Sequence, residues 1–165
     1  LYLFRVIIGS LIVFILQVTM VPRMTVGGIS PDLMVILLVI LVKGKNAVFA
    51  VVVGFLLGFL QDLGNASYLG MNALAKSVVG YGIFQACGGL FPDNVIFRGL
   101  LILGASLVND IIILTITTSV SLTDIFSWFF KFSVLSGIST AVIGVIVLEI
   151  INAATRRRTR TDGGF

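Results

Sequence analysis

The sequence predicts an all-α integral membrane protein, a bundle of six transmembrane helices, and three observations carry that reading. Hydrophobic residues make up 58% of the 165-residue chain and charged residues only 11%, too little polar surface for a water-soluble domain of this length. Mean hydropathy is +1.18. Apolar runs of helical length recur from end to end, separated by short polar breaks at Pro22-Arg23, Lys43-Gly44-Lys45-Asn46, Gly64-Asn65-Ala66-Ser67 and Pro92-Asp93-Asn94. At ~20 residues per span, the length permits about five or six spans and no sizeable extramembrane domain. Residues 1–154 therefore read as a single polytopic membrane domain and 155–165 as a basic tail.

The same composition excludes several chemistries. The chain has no histidine, which removes the commonest general base and the commonest zinc ligand, and with them Ser-His triads and HExxH sites. Its one cysteine, Cys87, lies in an apolar run, so neither a disulfide framework nor a metal-ligand spacing is present. No metal, cofactor or nucleic-acid partner is expected.

The first span is residues 1–20, ended by Pro22 and Arg23; it is too long for a signal-peptide core and no small-residue cleavage site follows, so it reads as a retained helix. After a link containing Gly27-Gly28, Ser30 is placed as N-cap, Pro31 as first-turn residue and Asp32 as a favourable charge at the helix N-terminus. This second helix, 31–43, has an apolar run of about ten residues, ~15 Å against a hydrocarbon core of ~30 Å. Either it spans with local thinning and snorkelling of Lys43 and Lys45, the reading preferred here, or it is a half-helix packed against protein. The third and fourth spans are 47–63 and 70–91, the fifth 99–119, and the sixth 125–151, with Trp128-Phe129-Phe130 as an interfacial aromatic belt. Residues 161–165 read as a disordered end of the tail.

Basic residues orient the bundle. With six spans, the side of the termini collects eight of them, Arg5, Lys43, Lys45, Arg98, Arg156, Arg157, Arg158 and Arg160, whereas the opposite loops hold only Arg23. Both termini are expected in the cytoplasm, and the arginine run is expected to act as topology determinant and contact for anionic lipid. Gly54 and Gly58, four apart on the third helix, make a flat stripe for close helix packing, either within the bundle or with a partner. Asp62, Asn72, Lys76, Asn109, Asp110 and Lys131 form a polar set in the outer half of the membrane. Charges there cost at least ~2.5–3.5 kcal/mol each when unpaired, so they should converge inside the bundle, with Asp110 paired to Lys131 or Lys76. Two roles are open to this set: ion pairs that fix helix register, or an outward-facing pocket for a ligand or a partner's side chain.

The runs P-D-L-M-V-I-L-L-V at 31–39, G-F-L-L-G-F-L-Q-D-L at 54–63, L-G-M-N-A-L at 69–74, V-G-Y at 79–81 and S-L-V-N-D-I-I at 106–112 together resemble the MreD family of bacterial rod shape-determining membrane proteins. Asp32, Gly54, Gly58, Asp62, Gly70, Asn72 and Asp110 match the family pattern; Lys76 and Lys131 do not belong to it. The resemblance implies a non-enzymatic scaffold in the bacterial inner membrane that binds MreC and works beside a RodA-type glycosyltransferase, a penicillin-binding transpeptidase and the MreB filament in peptidoglycan elongation. It also implies a fold similar to the S components of energy-coupling-factor transporters, which makes a vitamin-type small-molecule binding subunit the alternative function. An intramembrane enzyme is disfavoured, because the chain lacks histidine and any dense acidic cluster on one helix. Gene neighbourhood would separate the first two: MreB and MreC genes for a scaffold, ATPase subunits for a carrier.

Overall fold

A computed structural model describes residues 2–20, 30–64, 69–87, 94–117 and 132–162. Among these it contains six helices: α1 (Tyr2–Thr19), α2 (Leu33–Val42), α3 (Ala47–Leu63), α4 (Met71–Cys87), α5 (Val95–Thr117) and α6 (Val134–Asp162). α5 and the Val134–Ala153 part of α6 are long and apolar enough to cross a bilayer; Val6–Thr19, α2 and α3 are shorter apolar helices.

α2 is the axis of the bundle. It touches each of the other five helices, and Met34, Val35, Leu38 and Val39 have no exposed surface. Its sequence, LMVILLVILV, is apolar on every face, as suits a helix surrounded by other helices or by lipid, and here other helices surround it. Its N-terminal end, in a helix rising about 15 Å, meets protein groups from Gln17 and Thr140, while its C-terminal end runs into the exposed Lys43. Its cap differs from the expected one. Asp32 is the N-cap, its Oδ1 accepting from the amides of Met34 and Val35 at 2.9 and 3.2 Å, and Ser30 and Pro31 precede the helix. A carboxylate reaching two orphan amides is the stronger cap, so the start moves two residues onward.

α3 and α4 form the closest pair. They run antiparallel in a register set by glycine: Ala50 meets Gly80, Gly54 meets Lys76 and Gly58 meets Asn72, one helical turn per step. A Cβ on Gly54 would lie 2.8 Å from the Lys76 carbonyl carbon, and one on Gly58 would lie 2.5 Å from the Ala73 Cα. The stripe predicted on the third helix thus packs against its sequence neighbour inside the bundle. Asn46 caps α3, its Oδ1 accepting from the Phe49 amide at 2.8 Å.

α5 begins at Val95, four residues before the expected 99, because Asn94 supplies the cap: its Oδ1 accepts from the Ile96 amide at 2.9 Å and its carbonyl from the Arg98 amide at 3.1 Å. Arg98, expected in a loop, is folded into the first turns of α5, 4% exposed, and its Nη1 meets Glu149 Oε1 of α6 at 2.8 Å. At the other end α6 continues as helix through the basic tail as far as Asp162, so Thr161 and Asp162, expected in the disordered end, are helical. The expected starts and ends at 88–91, 118–119 and 125–131, and the Trp128-Phe129-Phe130 belt, lie outside the described residues.

The distribution of polarity is inverted relative to a water-soluble protein. Phe4, Val48, Leu56, Ile96, Leu100, Val142 and Ile150 face outward, while Asp62, Lys76, Arg98 and Asn109 are buried. Hydroxyls on the helices bond back to the carbonyl four residues earlier, as in Ser10 to Val6, Ser77 to Ala73 and Thr115 to Ile111. Hydrocarbon solvent selects both features, since it rewards outward aliphatic surface and offers a polar group no partner.

Candidate functional site

The predicted polar set separates into two groups with different work. The first is built on Asp62 at the C-terminal end of α3, 1% exposed. Gly70 opens α4, its carbonyl taking the Leu74 amide at 2.9 Å, and with no side chain it leaves the next amides without a cap. Asp62 supplies one from the neighbouring helix. Its Oδ2 accepts from the Gly70 and Ala73 amides, each at 3.0 Å, and its Oδ1 from the Asn72 amide at 3.1 Å and the Asn72 side-chain nitrogen at 2.9 Å. Four donors and the positive end of α4 compensate the buried carboxylate without a cation.

The second group surrounds the N-terminus of α2. Lys76 of α4 is fully buried, and its Nζ donates to Asp32 Oδ2 at 2.9 Å and to Asn109 Oδ1 of α5 at 3.3 Å. Asp32 is thereby a cap through one oxygen and an ion-pair partner through the other. Around it, Gln17 of α1 accepts from the Leu33 amide at 2.8 Å, and Thr140 of α6 accepts from the Asp32 amide at 3.1 Å. Ser136 donates to the Ser30 carbonyl and, through its own carbonyl, accepts from Thr140 at 2.8 Å. Helices α1, α2, α4, α5 and α6 therefore meet at one polar knot.

Asp110 was expected to pair with Lys131 or Lys76; of these, Lys76 pairs with Asp32 instead. The reason is reach: α4 packs beside α2 at its N-terminal end, where Asp32 already offers an unused oxygen, whereas Asp110 is turned one position around α5 from Asn109. Asp110 meets Asn109 Nδ2 at 3.4 Å and the Ser133 hydroxyl. It lines a cleft of about 260 Å³ together with Ser30, Ile113, Leu114, Phe132, Ser133 and Ser136. Lys131 lies outside the described residues, as do the side chains of Arg156, Arg157, Arg158 and Arg160.

Sequence reasoning placed Asp32 only as a charge near a helix start and did not single out Gln17, Ser136 or Thr140 as its partners. A signal for Asp32 was available, because it stands immediately before ten uninterrupted apolar residues that leave the first amides with no other acceptor. No comparable signal marks Thr140, one of several hydroxyls in an apolar run. Among the described residues, no group of three or more cysteines, aspartates or glutamates is arranged to hold a metal ion. The arrangement clamps helices to each other, and the cleft at Asp110 is an open polar face among the described residues.

A family model described as rod shape-determining protein MreD matches residues 1–153. No curated protein and no solved structure matches the chain.

Proposed function

The chain belongs to the MreD family of rod shape-determining proteins, and on that premise we propose that it is a non-catalytic membrane scaffold of the bacterial cell-elongation complex. In this reading it binds MreC and supports peptidoglycan synthesis beside a RodA-type glycosyltransferase, a penicillin-binding transpeptidase and MreB. The observation that carries it is the family match over residues 1–153, nearly the whole chain. The interior geometry supports it: Asp62 is committed to four donors and Lys76 to Asp32 and Asn109, so these groups spend their hydrogen-bonding capacity on holding helices in place. A pre-organised, rigid body is what a scaffold needs to present a surface.

The same reading takes the protein as a multi-pass component of the inner membrane. All six helices cross the bilayer, both termini lie in the cytoplasm, and the arginines from 156 to 160 meet anionic lipid there. The short α2 crosses within a sheath of protein. The likeness to S components of energy-coupling-factor transporters belongs to this reading as well, and rests on the family resemblance. The test is capture: affinity-tagged protein solubilised from membranes should retain MreC through purification. Monodisperse protein that captures no MreC, when MreC is present in the same membranes, would remove the scaffold reading.

A further inference from the structure

Asp62 is compensated by four donors, and Asp110 by fewer. Among the described residues, Lys76 meets Asp32 at 2.9 Å and Arg98 meets Glu149 at 2.8 Å, while Asp110 touches the Asn109 amide at 3.4 Å and the Ser133 hydroxyl, both neutral. Among the described residues, Asp32, Asp110 and Lys76 in ionised form thus leave one negative charge in excess. A carboxylate in such surroundings is stabilised by a cation far more than by neutral donors.

The surroundings of Asp110 restrict which cation fits. The cleft it lines holds about 260 Å³, room for roughly eight or nine water volumes of ~30 Å³, far more than a bare ion occupies. Ser30, Ser133 and Ser136 contribute oxygen acceptors beside the carboxylate, and Ile113, Leu114 and Phe132 an apolar wall. Ser133 is 6% exposed, so this polar rim is drawn in from the surface. One carboxylate with hydroxyls is a poor ligand set for a divalent metal, which asks for more anionic oxygens. A head with several N–H donors and a short carbon body satisfies both the rim and the wall.

We propose that this cleft binds the ammonium group of a small primary amine, with Asp110 as counter-ion, the serine oxygens as further acceptors and Ile113, Leu114 and Phe132 against its carbon chain. The site is independent of the scaffold role, and its test involves no partner protein. The full chain, purified in detergent, is heated in n-butylammonium chloride and, at equal concentration, in tetramethylammonium chloride, which carries the charge but no N–H donor. At about ten times its Kd, n-butylammonium should raise the unfolding midpoint by about 3–5 °C, tetramethylammonium should not, and Asp110→Asn should abolish the difference. If Asp110→Asn does not fold, Ile113→Trp, which fills the cleft and keeps the carboxylate, must abolish it instead. Equal shifts from the two salts, a shift that survives both substitutions, or no shift at all would overturn the proposal. So would a shift seen in Lys131→Met and not in the native chain, because the protein's own lysine would then be the cation that Asp110 holds.

Discussion

Lys76 and Asp62 are both buried charges, and they are compensated by different means. Lys76 depends on a single anion: its Nζ has Asp32 at 2.9 Å and only the neutral Asn109 besides. Lys76→Met should therefore destabilise the protein by about 3–5 kcal/mol, mostly through the Asp32 charge it leaves behind. Asp32→Asn keeps an oxygen for the Met34 and Val35 amides, so the double substitution should recover much of that loss, and a cycle read by thermal unfolding in detergent should show strong coupling. The equivalent cycle between Lys76 and Asp110 should show weaker coupling, because Asn109 stands between them. Asp62, in contrast, has four donors and no cation. Asp62→Asn replaces one acceptor by a donor facing amides, and should cost about 1–3 kcal/mol in the same assay. At this scale the sequence made the cost of each charge legible but not its partner. Asp32 and Lys76 are 44 positions apart, and nothing in an aliphatic background records which helices will be neighbours.

Helix α3 shows how far element boundaries can be read. Its limits, Ala47 and Leu63, agree with those predicted, since Lys43-Gly44-Lys45-Asn46 and Gly64 bracket an unbroken apolar run. α5 was misjudged by four residues because Arg98 reads as a surface charge until Glu149 is known to face it. The glycine stripe was legible as a packing device, and its partner required the antiparallel register with α4. That register makes the stripe testable against glycines that look alike in sequence. Gly58→Ala would press a methyl group onto the backbone at Asn72 and Ala73, and should destabilise the bundle by about 1–3 kcal/mol, with Gly58→Leu failing to fold and, on the proposed scaffold role, losing MreC capture along with folded protein. Gly104→Ala meets nothing within 4 Å and should be neutral or, through helix propensity, stabilising by up to about 1 kcal/mol. The check is the unfolding midpoint and monodispersity of each variant; equal losses at Gly58 and Gly104 would mean that the α3–α4 contact does not set the register.

The orientation of the whole molecule rests on charge, and the fold alters the count. Arg98 is buried against Glu149, so of the eight basic residues assigned to the side of the termini seven remain to act at the membrane surface, against Arg23 on the other. The bias survives that subtraction. It is reinforced by α6, which continues as one helix of 29 residues, about 43 Å, and so carries the arginine run beyond a hydrocarbon core of ~30 Å on the same axis as the span. In the proposed topology, the cost of moving four arginines through the bilayer keeps the C-terminus on the side where they are synthesised. In the proposed six-span topology the N-terminus returns to that side, and the polar knot at the start of α2 faces outward. Cys87 is the only native cysteine, and after Cys87→Ala single cysteines can be placed at will. In intact cells Ala66→Cys should react with a membrane-impermeant maleimide, whereas Arg160→Cys should react only after permeabilisation. Reaction at both positions from outside would require an even number of crossings between them, and would remove one of α4, α5 and α6 from the set that spans.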